Sequence, residues 1–204
     1  MVYSDFTLEN VIDQFGIVLK SGILFDPIRL LEPTSWLRET LIRGEKTALA
    51  SSTEKARSEF LVAPILLEVQ EQLIPEISIY SGKTLTADSD RGLNGECDFM
   101  LGIGPTLPII QAPIFSLVEA KRQDLQLGIG QCAAQMLGAQ IFNQNHNKHI
   151  PKIYGCVTTG EAWQFLRLHD RHLTIESRIF YFNELEKVLG ILQMIVMETL
   201  APES

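Results

Sequence analysis

The chain has 204 residues, 46% of them hydrophobic, and a formal net charge of −8 at pH 7. This length and apolar content predict one domain over residues 1–204 with a sizeable core. The acidic charge argues against a protein that coats nucleic acid, because lysine and arginine drive such binding by releasing counterions. No run approaches eighteen apolar residues and the N-terminus does not read as a signal peptide, so we expect no membrane segment and a cytoplasmic location.

Residues 1–50 predict a helical extension. The first helix has apolar residues at helical spacing after a Thr7 cap, and the second, Ser35 to Arg43, directs Trp36 toward the core and ends at Gly44. Next, the capping box Ser51 to Glu54 opens a longer helical pattern that Pro64 should kink or split.

The following residues predict β-structure. Ile77 to Ser81 and Lys83 to Ala87 predict either one strand or a bulged pair with the bulge at Gly82. A turn at 88–92 and another strand, Glu96 to Ile103, follow. A break at 104–108 lets a further strand, ending in Glu119-Ala120-Lys121, fold back beside it.

Three ionisable side chains fall inside this apolar hairpin. Because side chains alternate along a strand, Glu119 and Lys121 share one face, and Asp98 on the neighbouring strand can face them. Burying two carboxylates is unfavourable unless a cation compensates them. We therefore expect a divalent cation between Asp98 and Glu119, with their oxygens about 4 to 5 Å apart.

Asp98 followed by Glu119-Ala120-Lys121 at the end of an apolar strand resembles the PD-(D/E)xK nuclease superfamily, except that Cys97 replaces the proline that often precedes the first acid. The resemblance implies that Asp98, Glu119 and the Ala120 carbonyl hold Mg²⁺, or Mn²⁺ in its place. It implies that Lys121 activates or positions the attacking water. Members often carry another acid on the helix before the sheet, for which Glu59 and Glu68 are the candidates, although solvated helix charges are the commoner case.

A helix from about Leu125 to Asn143 contains Gly128-Ile129-Gly130-Gln131-Cys132-Ala133, which fits the dinucleotide-binding pattern G-x-G-x-x-A. The pattern does not directly follow its strand, and no acid ends the next strand to bind a ribose. We therefore expect no nucleotide cofactor, and we interpret the glycines as close-packing positions inside a helix. Gln131 is a further candidate site residue, because some families of this resemblance carry a glutamine here, although a solvent-facing glutamine is the alternative.

The rest of the chain predicts strands at 153–158, 163–168 and 173–180 and a final helix over 183–200 capped by Asn183 with Glu186. The apolar face of this helix either closes the core or forms a homodimer contact. The predicted class is therefore α/β, with a restriction-endonuclease-like core (α-β-β-β-α-β, mixed sheet flanked by helices) at about 51–180. Extra N-terminal helices, extra β-strands and a C-terminal helix surround it.

The histidines, the cysteines and the basic residues are the remaining candidates for a functional site. The four histidines flank loops without acidic neighbours at ligand spacing, and Cys97, Cys132 and Cys156 lack a C-x-x-C pair, so neither group indicates a metal site and the cysteines should be reduced core residues. Residues 146–178 carry a small basic excess, which makes them the best candidate for a phosphate-facing surface.

These observations lead to two hypotheses from different classes. The first is a Mg²⁺-dependent endonuclease or exonuclease, a hydrolase that binds DNA and cuts its phosphodiester bonds. The second is a catalytically inactive nuclease-fold module that binds nucleic acid or a protein partner, which the net acidity favours.

Overall fold

The structure, a computed structural model, describes residues 1–73 and 77–201. Its eight strands are β1 (Val18–Gly22), β2 (Ile77–Asp88), β3 (Leu93–Ile103), β4 (Ile114–Ala120), β5 (Lys152–Thr158), β6 (Ala162–His169), β7 (His172–Glu176) and β8 (Phe180–Tyr181). They form one mixed sheet in the order β1-β7-β6-β5-β4-β3-β2, with β8 also pairing with β6.

Helices flank both faces of this sheet in an α/β arrangement. They are α1 (Leu8–Phe15), α2 (Ser35–Ser51), α3 (Glu54–Arg57), α4 (Ala63–Leu73), α5 (Gln126–Asn145) and α6 (Leu185–Leu200). A π-helical segment, Ser58–Val62, joins α3 to α4, and short 3₁₀ turns lie at Tyr3–Asp5 and Phe182–Glu184. No helix within residues 1–73 and 77–201 is both long and apolar enough to cross a membrane.

Two hydrophobic cores lie on opposite faces of the sheet. Helices α2, α4 and α6 cover one core, which contains Leu37, Leu66 and Trp163. Helices α1 and α5 cover the other, which contains Val11 and Met136. Because both faces are covered, the central strand β4 is buried along its whole length. A charged side chain on β4 is therefore taken out of water.

The centre of the sheet has a simple chain path. Strands β2, β3 and β4 are consecutive and antiparallel, and α5 then returns the chain so that β5 lies parallel to β4. This path brings the C-terminal ends of β4 and β5 side by side, since parallel strands end at the same edge of the sheet.

The sequence predicts that residues 1–50 are helical, but the structure shows that they also contain a strand. Residues 18–22 form β1, which pairs in parallel with β7 and so becomes an edge strand. Helix α2 continues through Gly44 to Ser51, and Trp36 on its first turn is 45% exposed instead of buried. An added Cβ at Gly44 would lie 2.7 Å from the Phe60 carbonyl oxygen, so this glycine allows a close helix contact and does not end the helix.

Pro64 neither breaks nor splits the helix that contains it. The Ala63 N–H donates to the Ser58 carbonyl five residues back, which gives the π-helical turn just before the proline. Pro64 has no N–H to donate to the Phe60 carbonyl, and that carbonyl lies against Gly44. The capping box expected at Ser51 to Glu54 is also different. The N-cap of α3 is Thr53, whose hydroxyl accepts the Ala56 N–H at 3.1 Å, whereas Ser51 is the last residue of α2.

Three local expectations in the remaining β-structure and α6 also differ from the structure. Strand β2 is continuous, which confirms the single-strand alternative, and its register shifts between Thr86 and Asp88 and not at Gly82. The strand expected at 173–180 is divided into β7 and β8. Helix α6 starts at Leu185 with Glu184 at its N-cap position and, within the described residues, no side-chain cap, so the expected Asn183 cap is wrong. Most of its apolar residues, including Val188 and Leu189, lie in the core, whereas Met197 near its end is exposed.

The glycines of α5 are packing positions. An added Cβ at Gly128 would lie 2.5 Å from Val157 Cγ1, and one at Gly130 would lie 2.5–2.6 Å from backbone atoms of residues 6–8. Gly128 is already in the first turn of α5, where its N–H donates to the Leu125 carbonyl. The glycines are therefore explained by contacts with β5 and with the N-terminal segment, without a bound dinucleotide.

This packing predicts that Gly130→Ala destabilises the protein. The new methyl group would meet backbone atoms, which cannot rotate away, so we expect a loss of about 1–3 kcal/mol in the free energy of unfolding. Denaturant unfolding of both proteins measures the difference. Gly22→Ala is the control, because no atom lies within 4 Å of a Cβ added at Gly22. Equal stability of Gly130→Ala and the wild type would contradict the packing explanation.

Candidate metal centre

Strands β3 and β4 separate at the edge of the sheet where β4 ends. Their paired residues run from Gly102–Ile114 to Phe99–Val118. Beyond that pair the Ala120 N–H donates instead to the Asp98 carboxylate, with 2.8 Å between Ala120 N and Asp98 Oδ2. On its other side β4 still pairs with β5 as far as Thr158. The Asp98 carboxylate therefore reaches the backbone of the neighbouring strand at the point where the strands open.

Three carboxylates meet at this opening. One oxygen from each of Glu54, Asp98 and Glu119 lies within 4.8 Å of the other two. Glu119 comes from β4 and is 2% exposed, whereas Glu54, the first residue of α3, is 46% exposed. They line a cavity of about 280 Å³ whose other walls include Val2, Tyr3, Ser4, Glu96, Lys121 and Gln131. The cluster is thus buried at its base and open at its mouth.

Lys121 lies directly after β4 and enters the same cavity. Its Nζ donates to Glu119 Oε1 at 2.7 Å and to Gln131 Oε1 at 3.1 Å, and it lies 3.9 Å from Glu54 Oε1. The Lys121 side chain is 17% exposed. The ammonium group therefore touches two of the three carboxylates and has a neutral amide oxygen as another acceptor.

The electrostatics of the cluster show a shortage of positive charge. Burial and the nearby Asp98 charge raise the pKa of Glu119 to about 7, although Lys121 and Gln135 act in the opposite direction. Burial also raises the pKa of Asp98, partly offset by the Ala120 N–H and Lys121. Burial lowers the pKa of Lys121, but the charge of Glu119 and its hydrogen bond outweigh that effect and the net pKa is raised. A cation at the carboxylates would remove this mutual repulsion.

Four residues singled out in the sequence line the cavity: Asp98, Glu119, Lys121 and Gln131. One oxygen of Asp98 lies within 4.8 Å of one oxygen of Glu119, which agrees with the predicted approach to about 4 to 5 Å. Ala120 lies between Glu119 and Lys121 and uses its N–H to hold Asp98. Gln131 contacts Lys121 and is not simply exposed to solvent.

The two accessory acids expected on the helix before the sheet do not join this cluster. Glu59 is exposed and pairs with Lys55 at 3.1 Å. Glu68 is fully buried elsewhere, where it accepts hydrogen bonds from the Thr34 N–H at 2.6 Å, the Thr34 hydroxyl at 2.8 Å and Gln72 Nε2 at 2.6 Å. Glu68 therefore anchors the start of α2.

Sequence reasoning missed two residues of the site. Glu54 appears in the sequence as the acid that follows a helix N-cap, and only the packing of α3 near β4 brings it to Asp98. Gln135 lies one turn after Gln131, and its Nε2 donates to Glu119 Oε2 at 2.8 Å. The four-residue spacing of the two glutamines was the signal that could have identified Gln135.

The basic excess in residues 146–178 does not surround the cavity. Lys152 begins β5, whereas Thr158 at the other end of β5 lies beside Ala120. Six residues of strand span about 20 Å. Arg167 lies opposite Tyr154, and so also toward the far end, and Lys152 forms an ion pair with Glu198. Lys152 and Arg167 therefore lie away from the cavity, and a phosphate-facing surface in residues 146–178 stays a prediction.

The histidines and cysteines have no place in the acidic cluster. Within residues 1–73 and 77–201, the one group of three or more metal-ligand side chains close enough to hold an ion is Glu54, Asp98 and Glu119. Cys97, Cys132 and Cys156 are free thiols in the interior. Only hard oxygen donors are therefore brought together.

No protein-family model matches the chain, and no curated protein is significantly similar to it. Its function has to be inferred from the geometry and chemistry of the site itself.

Proposed function

We propose that this protein is a Mg²⁺-dependent nuclease that hydrolyses DNA phosphodiester bonds, with Glu54, Asp98 and Glu119 as the carboxylate ligands of the ion. One observation carries the proposal: three carboxylates and a lysine ammonium group converge in an open cavity where two strands separate. Burying such a cluster is costly in free energy unless a positive charge compensates the carboxylates.

The donor set suits Mg²⁺ or Mn²⁺. Both are bound by hard oxygen ligands such as carboxylates and carbonyls. Ligand distances of about 2.1 Å place the oxygens of an octahedral site about 3.0 to 4.2 Å apart. The three carboxylates, whose oxygens lie within 4.8 Å, need only a small closure to reach this span. The Ala120 carbonyl is the further ligand that the PD-(D/E)xK resemblance implies.

The residues of the cavity have different roles in the proposed hydrolysis. A bound Mg²⁺ would lower the pKa of a coordinated water molecule and would neutralise negative charge on the phosphoryl group. Lys121 holds and orients the attacking water and stabilises the negative charge that develops on the phosphoryl oxygens. Gln131 holds the Lys121 ammonium group at the mouth of the cavity. The Ala120 N–H keeps the Asp98 carboxylate aimed at the same point.

The order of elements supports a restriction-endonuclease-like core. Helix α4, strands β2, β3 and β4, helix α5 and strand β5 follow the order α-β-β-β-α-β implied by the resemblance. The central pairings are antiparallel, antiparallel and parallel. Glu54 begins the helical segment that precedes this sheet, which makes it the additional acid for which Glu59 and Glu68 were the sequence candidates.

A non-catalytic module is the second candidate function, and the contact between Lys121 and Glu119 favours it. Lys121 Nζ already donates to Glu119 Oε1 at 2.7 Å and compensates that carboxylate without a metal ion. In this alternative the nuclease-like fold binds nucleic acid or a protein partner, and its acidic cluster is a structural ion pair.

Cleavage of single- and double-stranded DNA in Mg²⁺, with chelator as the negative control, tests the proposal. Glu54→Gln removes one charged ligand and should weaken Mn²⁺ binding by about 10-fold or more, with slower cleavage. Glu59→Gln is the matched control, because Glu59 is exposed and pairs with Lys55 outside the cavity. Failure of the wild type to cut any DNA in Mg²⁺ or Mn²⁺ would favour the non-catalytic module.

A further inference from the structure

Helix α5 buries two amide side chains against the sheet, and they are bonded differently. Asn143 is 2% exposed and uses both ends of its amide on Ile114, accepting from the Ile114 N–H at 2.8 Å and donating to the Ile114 carbonyl at 2.7 Å. These bonds fix the start of β4. Asn143 is therefore fully explained by the architecture.

Gln135 is 0% exposed and has only one of its two amide ends paired. Its Nε2 donates to Glu119 Oε2 at 2.8 Å, while its Oε1 has no hydrogen-bond partner among residues 1–73 and 77–201. A buried amide oxygen without a partner is unfavourable, and an apolar side chain of similar volume would avoid that cost. The bond to Glu119 is the favourable contact that accounts for a glutamine at this position.

Gln135 and Lys121 hold opposite oxygens of the same carboxylate. Gln135 takes Oε2 from within the core, and Lys121 takes Oε1 from the cavity. Lys121 also has Gln131 Oε1 as an acceptor at 3.1 Å, so it can leave Glu119 without losing every partner. The Glu119 carboxylate is thus fixed on its buried side and exchangeable on its open side.

We propose that Gln135 is a positioning residue of the cation site: by holding Glu119 Oε2, it presents Oε1 to the cavity shared with Asp98 and Glu54. This inference rests on the proposed function, because it assigns a role in that site. Neighbouring side chains that orient a metal ligand commonly change metal affinity by 10–100-fold when they are removed. Gln135 contacts neither the substrate nor the ion in this arrangement, and it acts through Glu119.

Gln135→Met tests the role, since methionine keeps the length of the side chain and removes its donor. Calorimetric titration with Mn²⁺ should show binding weaker by about 10-fold or more than in the wild type. Gln140→Met is the matched control on the same helix, because Gln140 donates only to the Asp170 carbonyl at 3.4 Å on the surface. It should bind Mn²⁺ within about twofold of the wild type. Gln135→Asn, which withdraws the donor by one methylene, should weaken binding in the same direction and serves if the methionine variant does not fold.

Thermal unfolding separates positioning from a purely structural contribution. For a positioning residue, the rise in Tm produced by a fixed Mn²⁺ concentration should be smaller in Gln135→Met than in the wild type, because ligand stabilisation follows affinity. A lower Tm in chelator together with unchanged Mn²⁺ affinity would overturn the role of Gln135 and leave the proposed site intact. A wild-type chain that binds no Mn²⁺ would overturn both.

Discussion

Asp98→Asn should abolish Mg²⁺ binding and DNA cleavage together, whereas Lys121→Ala should leave binding measurable and remove mainly cleavage. The first change removes a charged ligand, but its amide oxygen can still accept the Ala120 N–H, so the strand geometry should persist. The second removes the group that orients water and stabilises charge, which typically costs 10²- to 10⁴-fold in rate. Loss of cleavage alone does not distinguish these roles, so calorimetry must accompany the activity assay.

The two variants should also differ in stability when the metal is removed by a chelator. Asp98→Asn removes the charge that repels Glu119, so its Tm should rise. Lys121→Ala leaves Glu119, which is 2% exposed, without its ammonium partner, so its Tm should fall. If both variants lower the Tm and neither changes Mg²⁺ binding or cleavage, the cluster is architectural and the non-catalytic module becomes the better description.

The central pair of the site could be predicted because it depends on short-range patterns. Strand alternation assigns Glu119 and Lys121 to one face, and the break at 104–108 makes the hairpin that brings Asp98 beside them. Both rules act within about twenty-five residues of chain. The same reasoning could not show that β3 and β4 separate after the Phe99–Val118 pair, since that depends on the Asp98 carboxylate replacing a strand partner for the Ala120 N–H.

Glu54 could not be predicted because its local signal has a simpler explanation. An acid in the first turn after Thr53 is favoured by the helix dipole whether or not it binds anything. Its distance from Asp98 depends on how α3 packs near the end of β4, more than sixty residues later in the chain. Glu59 and Glu68 have the same helical context, yet one is exposed and the other anchors Thr34.

The incorrect predictions about the fold have the same origin, because they depend on contacts between residues that are distant along the chain. Strand β1 has no alternating pattern and is mostly exposed, so its extended form comes from pairing with β7 more than 150 residues away. Gly44 has the local signature of a helix end, but its packing against the Phe60 carbonyl explains why glycine is needed within α2. The continuity of the helix through Pro64 likewise depends on the π-helical turn that accommodates the ring.

In chelator, the free energy of unfolding of the wild-type protein should increase as the pH is lowered from 8 to about 5.5. The pKa of Glu119 is raised to about 7 in the folded protein, chiefly by burial, so the folded state binds more protons than the unfolded state between about pH 4.5 and 7. Stability must then fall as pH rises through that window, on the order of 2 kcal/mol. The raised pKa of Asp98 acts in the same direction.

Elsewhere in residues 1–73 and 77–201, the carboxylates with shifted pKa values do not obscure this effect. The pKa values of Glu176 and Glu198 are lowered by their hydrogen bonds to Arg178, Lys152 and other partners, against the opposing effect of burial. Their contribution to the free energy of unfolding is therefore fully present above the pKa that they have in the unfolded state. It is lost only at more acidic pH. Between pH 5.5 and 8, the slope should report mainly the acidic cluster.

Glu119→Gln should flatten most of this pH dependence, because its amide carries no titrating proton. Denaturant unfolding at several pH values measures the slope, and Glu59→Gln should retain the wild-type slope because Glu59 lies outside the cluster. Saturating Mg²⁺ should also reduce the slope, since the ion favours the ionised carboxylates that protons would otherwise neutralise. A wild-type stability that is flat or rises with pH across this window would mean that Lys121 alone compensates the buried carboxylates, which would remove the electrostatic reason for a cation at this site.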